Sequence, residues 1–182
     1  MRRAIAVLTL VVVGCGGGVS LDGYYAEIEA ASQAFDAATE PLTAGVDLDS
    51  DIAAMAESVD PNDPDQVARF LEDATTLAKA QTDDVLAESG VAAAAFVQRL
   101  SEVDAPEEVA TEHAAAVERG EALVAEIPRI RAEIDAAATL EDFADALSAS
   151  PIGRLSEEFS AACRDLQAIA DGEGITVDLG CG

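Results

Sequence analysis

The spacing of the apolar residues after Ser20 constrains the fold of this chain more than any other feature. These residues recur at steps of three and four almost to the end of the chain, which places them on one face of an α-helix. Half of the residues are hydrophobic but only 4% are aromatic, so the apolar residues are mostly Ala, Val, Leu and Ile. This composition favours helix over strand. We therefore expect an all-α fold.

Breaks in this spacing divide the region into four long helices and two short ones. The breaks coincide with Pro, Gly and N-cap residues, which are the usual signals for helix ends. The long helices are predicted over 21–38, 64–104, 106–137 and 152–171, and the short ones over 49–59 and 139–147. We expect the long helices to pack as an antiparallel bundle. Gly90 is a point where the second long helix could bend or split, and Pro128 is expected to kink the third without ending it.

The first residues have the layout of an export signal. Met1-Arg2-Arg3 is a cationic start, and residues 4–13 form an apolar run interrupted only by Thr9. This run is far shorter than the roughly 20 residues that a membrane-spanning helix needs. We therefore expect a signal peptide that is removed, rather than a permanent membrane anchor.

The sequence Val12-Val13-Gly14-Cys15 resembles the lipobox of bacterial lipoproteins. The resemblance implies diacylglyceryl transfer to the Cys15 thiol, cleavage after Gly14 and acylation of the new amine. It divides the chain into a signal peptide (1–14), a lipidated cysteine with a Gly-rich tether (15–20) and a helical bundle domain (21–182). Several acyl chains would hold the protein stably on the outer face of a bacterial membrane, at the cell surface or on the periplasmic side. An ordinary secretory signal with a fortuitous cysteine is the alternative.

Two further cysteines, Cys163 and Cys181, form an even pair outside the cytoplasm, where disulfides persist. The chain after Gly172 alternates apolar and polar residues, so we expect an extended tail that returns along the bundle. The apolar residues of this tail are Ile175, Val177 and Leu179. A Cys163–Cys181 disulfide would staple the tail and close a loop of about 18 residues, which stabilises by about 3 kcal/mol. The alternatives are a redox-active pair, which lacks a C-x-x-C spacing, and metal ligation, which lacks further ligands nearby.

Acidic residues dominate the charge of the chain. It carries 36 acidic and 10 basic residues, a formal net charge of −26, and loss of Arg2 and Arg3 would leave 36 against 8, or −28. Such a charge excludes nucleic-acid binding by simple electrostatics and repels anionic lipid headgroups. We expect the acidity to serve solubility, with a salt-adapted source as one explanation. A cation or a basic peptide as partner is the alternative.

The sequence contains no catalytic motif, and we expect neither an enzyme nor a cofactor. His113 is the only histidine, so a multi-histidine metal site is excluded. Alanines occupy the positions three residues before and after it, which excludes the di-iron bundle pattern. The alternating acids from Asp47 to Asp51 are typical of a calcium loop, but Ile52 stands where the loop needs glycine. We therefore interpret this segment as helix capping.

His113 lies on the apolar face of its predicted helix. We expect it to be hydrogen-bonded to a tyrosine or a carboxylate, with a ligand-binding or proton-sensing role as the alternative. Tyr24 is expected in the core and Tyr25 half-exposed, with a position at the membrane interface or in a ligand cleft as the alternative. Gly120 opposite small residues could leave a cavity between helices.

Two hypotheses for the function follow. Three further parts of the chain are similar to small helical lipoproteins of GC-rich bacteria. They are the segment 104–107, the helix of His113 and the sequences around the last two cysteines. That resemblance implies no particular activity. The first hypothesis is a non-catalytic binding or structural module, lipid-anchored in the bacterial cell envelope, with an envelope protein or a cationic molecule as partner. The alternative is a lipoprotein that binds a small ligand or a cation, either in a cavity near His113, Tyr24 and Gly120 or at a surface cluster of carboxylates.

Overall fold

The computed structural model describes residues 19–43 and 47–180, and all regular structure in these ranges is helical. The α-helices are α1 Leu21–Thr43, α2 Leu48–Ala56, α3 Pro64–Glu102, α4 Ala110–Ala136, α5 Leu140–Ala149 and α6 Ile152–Gly172. A short 3-10 turn, Glu107–Val109, precedes α4. The predicted all-α class is confirmed. The predicted signal peptide, Cys15 and Cys181 lie outside the described residues, and no helix within the described ranges is long and apolar enough to span a membrane.

Polar side chains cap the two short helices as the sequence predicted. Asp47 accepts a hydrogen bond from the backbone N–H of Ser50 at 3.0 Å, so its role at the start of α2 is helix capping. Thr139 and Asp142 form a reciprocal capping box at the start of α5. Both arrangements satisfy backbone N–H groups that have no partner in the first turn of a helix.

Neither Gly90 nor Pro128 interrupts its helix. The α3 helix continues through Gly90 over 39 residues, and α4 continues through Pro128 over 27 residues. A Cβ atom at Gly90 would lie 3.1 Å from Cγ2 of Ile127 on α4. The glycine therefore lets the two helices approach closely, and their packing supports an unbroken α3 at a residue that is intrinsically unfavourable in a helix.

The four long helices form an antiparallel bundle. The α3 helix packs against α1 and α4, and α6 packs against α4. Gly90 of α3 lies beside Ile127 of α4, whereas Val97, seven residues later on α3, lies beside Gly120, seven residues earlier on α4. These two helices therefore run in opposite directions, as short connections between adjacent helices require.

Two groups of buried residues occupy different parts of the bundle's length. The first lies between the four long helices and contains Tyr24, Tyr25, Ile28, Leu100, Val109, Ala116, Ala162, Cys163, Leu166, Ala170 and Leu179. The second lies beyond the end of α1, where α5 covers α3 and α4, and contains Ala78, Ile130, Ile134, Ala137 and Phe143. The bundle is thus longer than α1 or α6, and the short helices complete its far end.

A turn at Glu173 and Gly174 follows α6, and residues 175–179 then return along the bundle as the predicted extended tail. Leu179 is buried and Val177 is half-buried, whereas the polar residue between them is exposed. The side-chain amide of Gln167 donates to the Val177 carbonyl at 2.9 Å and accepts from the Leu179 N–H at 3.1 Å. Ser32 Oγ of α1 donates to the Leu179 carbonyl at 2.9 Å. The tail is therefore hydrogen-bonded to both α6 and α1.

Candidate functional site

Tyr24, Tyr25 and His113 meet at the end of the bundle where α1 begins. Tyr24 Oη and His113 Nδ1 are 3.1 Å apart, and both side chains are buried. The rings of Tyr24 and Tyr25 meet edge to face, with their centroids 5.0 Å apart. The prediction that His113 has a tyrosine or carboxylate partner is confirmed. The structure thus brings together two predicted site residues that are 89 positions apart in the sequence.

Tyr25 is fully buried, so the expectation that it is half-exposed is wrong. Consecutive helical residues point roughly 100° apart, so a single neighbouring helix does not cover both Tyr24 and Tyr25. Tyr24 contacts α4 through His113, whereas Tyr25 Oη donates to the Leu166 carbonyl of α6 at 2.8 Å. Tyr25 is buried because α6 covers a second face of α1. The local sequence pattern around Tyr25 does not indicate that this face is covered.

Burial dominates the electrostatics of this cluster. Loss of contact with water raises the pKa of both tyrosines, and the charge of nearby Glu112 raises these pKa values further. Burial also lowers the pKa of His113. Near neutral pH both phenols are therefore protonated and the imidazole is neutral. An uncharged hydrogen bond between Tyr24 and His113 holds α1 against α4.

Acidification is expected to destabilise the protein through His113. Burial lowers its folded-state pKa below the ordinary value of 6.5, so the unfolded chain binds the proton first. The free energy of unfolding should therefore fall as the pH drops from 6.5 towards the folded-state pKa. Urea unfolding at about pH 7.5 and about pH 5.5 measures this change.

The His113→Gln variant is the control for this pH dependence. It is expected to lose most of the difference in unfolding free energy between the two pH values. The carboxylate of Asp83 does not interfere, because its hydrogen bond with Arg131 lowers its pKa below 3.8, outside this window. An unchanged pH dependence in the variant would contradict the role given to His113.

A partly open cavity of about 180 Å³ lies deeper in the bundle, between the four long helices and the tail. Its wall includes Phe35, Phe96, Phe159 and Gly120. The Phe96 ring lies between the other two, with centroid distances of 5.7 Å to Phe35 and 6.0 Å to Phe159. The predicted site is therefore divided, because Gly120 lines this cavity whereas His113 and Tyr24 form the cluster near the start of α1.

The expectation that small residues oppose Gly120 is wrong. A Cβ atom at Gly120 would lie 2.7 Å from Val97 Cγ2 and 3.3 Å from Phe159 Cε2. The glycine therefore accommodates two larger side chains from α3 and α6. The cavity arises where the three phenylalanine rings fail to fill the space beside this close contact.

An apolar groove with a volume of about 570 Å³ runs along the surface between α1 and α3. Phe35 and Phe96 line both this groove and the cavity. Most of the other lining residues are alanines, namely Ala31, Ala34, Ala38, Ala87, Ala92 and Ala95. Two aromatic rings therefore lie between the cavity and the groove.

No motif in the sequence indicates a site at the phenylalanines. Phe35, Phe96 and Phe159 belong to three different helices, so no local pattern shows that their rings surround one cavity. Among residues 19–43 and 47–180 no group of three or more His, Cys, Asp or Glu side chains is placed to hold a metal ion. Comparisons with protein-family models, with curated proteins and with solved structures found no match for the chain.

Proposed function

We propose that this protein is a lipid-anchored, non-catalytic binding or structural module on the extracytoplasmic face of a bacterial membrane. The observation that carries the proposal is the position of the lipobox-like sequence relative to the bundle. The first helix begins at Leu21, six residues after Cys15. The motif therefore leads through a short Gly-rich tether directly into the folded domain.

An anchor at Cys15 would determine the orientation of the domain. The Tyr24 and His113 cluster lies where α1 begins, so this end of the bundle would face the membrane. At 1.5 Å per residue, the 39 residues of α3 span about 58 Å. The far end, which α2 and α5 complete, would then stand away from the lipid surface and be available to another component of the envelope.

The surface charge supports an extracytoplasmic partner that is not itself acidic. Four arginines form ion pairs within the described ranges, namely Arg119, Arg129, Arg131 and Arg154. Because the mature chain would carry 36 acidic against 8 basic residues, these pairs leave most carboxylates uncompensated. The bundle would be repelled from anionic headgroups and attracted to a cationic or basic envelope component.

Membrane fractionation and intact-mass measurement test the anchor. We expect the wild-type chain in the membrane fraction, starting at Cys15 and carrying the mass of its acyl chains. The Cys15→Ala variant should leave the membrane fraction, whereas Cys163→Ala should remain there as the matched cysteine control. A wild-type chain that is processed but carries no lipid would overturn the proposal.

An extracytoplasmic location also supports a disulfide between Cys163 and Cys181. Cys181 lies outside the described residues, but the tail leads towards Cys163. The Cys163 Sγ atom is 3.8 Å from the Leu179 carbonyl oxygen, and Cys181 follows only two residues later. Two residues of chain can span up to about 7 Å, so a bond between the two sulfur atoms is within reach.

The expected disulfide is testable by mass and by stability. The secreted chain should be two hydrogens lighter than its reduced form, and reduction should lower the free energy of unfolding by about 2–5 kcal/mol. The stability of Cys163→Ser should not respond to reductant. A secreted chain that reacts with a thiol reagent at both cysteines before any reduction would contradict the disulfide.

A second candidate function is that of a small-ligand carrier. The cavity beside Phe96 and Phe159 favours it, because ligand sites in helical bundles lie between facing helices. Native mass spectrometry of the protein from a bacterial host should then show a retained organic adduct. Because His113 lies outside the cavity wall, His113→Ala should keep that adduct. A bare polypeptide would favour the binding or structural module.

A further inference from the structure

We propose that the cavity behind Phe35 and Phe96 binds a compact, uncharged, hydrocarbon-rich molecule of about the size of a substituted benzene. The ligand reaches the cavity from the groove between α1 and α3. This inference rests on the second candidate function, the small-ligand carrier, and is independent of the lipid anchor.

The volume of the cavity sets the size of the ligand. The cavity measures about 180 Å³. An apolar cavity of roughly 150 Å³ in another protein stays dry and binds benzene. A single ring with a small substituent, or a branched aliphatic group of similar bulk, therefore fits. A long acyl chain does not fit as a whole.

The wall of the cavity sets the chemistry of the ligand. None of the described residues that line it is charged, although 25% of the chain is. The rings of Phe96 and Phe159 meet at 85°, so they present both a face and an edge to a bound molecule. A buried carboxylate or ammonium group would have no counter-charge here, and its desolvation would oppose binding. Ser160 Oγ on α6 is a polar group available to a hydroxyl or carbonyl of the ligand.

Phe35 and Phe96 form the boundary between the cavity and the groove. Both rings are half-buried, and each lines the surface groove on one side and the cavity on the other. Their planes are tilted by 49°, with centroids 5.7 Å apart. On the groove side the neighbours are mainly alanines, whose small side chains leave space for the rings to turn outwards. Rotation of these two side chains would join the groove to the cavity without movement of a helix.

A titration with toluene, followed by NMR, tests the proposal, with benzoate as a charged molecule of similar size. The protein is the full chain with Cys15→Ala, purified without detergent so that no lipid competes for the cavity. We expect toluene to bind with a Kd below about 1 mM and to give nuclear Overhauser effects to the rings of Phe96 and Phe159. Benzoate should bind at least about tenfold more weakly, because its carboxylate has no partner in the cavity.

Two adjacent alanines on α3 provide matched variants. Ala93 lines the cavity, whereas Ala94 is exposed and lines neither the cavity nor the groove. Ala93→Leu should fill the cavity and weaken toluene binding at least about tenfold, whereas Ala94→Leu should leave the affinity within about twofold. Circular dichroism establishes that each variant is folded. If Ala93→Leu does not fold, the nuclear Overhauser effects from toluene to Phe96 and Phe159 in the wild-type chain show whether toluene occupies the cavity.

Several outcomes would overturn the inference. These are no binding of toluene, equal binding of benzoate, or contacts from toluene only to the groove alanines. Native mass spectrometry tests the carrier function independently of the toluene titration, which tests the class of ligand. A retained charged adduct without toluene binding would refute the ligand class proposed here and leave the carrier function standing, whereas loss of both signals would refute both.

Discussion

Replacing Tyr24 with alanine is expected to lower the free energy of unfolding by about 3–5 kcal/mol. The side chain is fully buried and packs edge to face on Tyr25, so its removal leaves a space of the size of the ring. The substitution also removes the hydroxyl that lies 3.1 Å from His113 Nδ1. Urea denaturation at neutral pH, followed by circular dichroism, measures the loss.

The Tyr24→Phe variant separates the contribution of ring packing from that of the hydrogen bond to His113. Phenylalanine retains the ring but leaves the buried nitrogen of His113 without its partner, so we expect a loss of about 1–3 kcal/mol. A double-mutant cycle with His113→Phe should give a coupling of about 0.5–3 kcal/mol between the two side chains. A Tyr24→Ala variant that loses less than about 1 kcal/mol would show that this end of the bundle is not packed as described.

Replacing Gly120 with leucine is expected to destabilise the protein by about 3 kcal/mol. The first added carbon would already lie 2.7 Å from Val97 Cγ2 and 3.3 Å from Phe159 Cε2. Val97 is β-branched and therefore has little freedom to turn away. The gain of about 1 kcal/mol in helix propensity on replacing glycine does not offset this overpacking. Chemical denaturation again measures the change.

Gly153 on α6 provides the control for this substitution. A Cβ atom there would meet nothing within 4 Å, so Gly153→Ala should stabilise the protein by about 0.5 kcal/mol through helix propensity alone. Val97→Ala should partly rescue a Gly120→Ala variant, because it removes the methyl group that causes the closest contact. A Gly120→Leu variant as stable as the wild type would contradict the close approach of α3 to α4.

The positions of the helices were predictable because their signals act within one or two turns. Thr139 and Asp142 cap α5 through groups that are three residues apart, and apolar spacing identifies the buried face of each helix. The tail was predictable for the same reason, since the alternation that ends at Leu179 reflects the geometry of an extended chain. The sequence alone left a split at Gly90 open, and α3 stays continuous there with Ile127 of α4 packed directly against the glycine.

The site was only partly predictable. Local pattern showed that Tyr24 and His113 belong to buried faces, but their meeting depends on how α1 and α4 are placed. The burial of Tyr25 depends on α6, and the cavity depends on three phenylalanines from α1, α3 and α6.

Local sequence signals specify the all-α class, the starts of the described α-helices other than α4, the course of the tail and the faces that must be buried. The α4 helix begins at Ala110 and not at the predicted Pro106, because residues 107–109 form a 3-10 turn. The tertiary structure decided what each buried face meets. The physical reason is that propensity, capping and apolar period involve residues close together in the chain. Contacts such as those of Gly120 with Val97 and Phe159 join three helices, and only the packing of the whole bundle selects them.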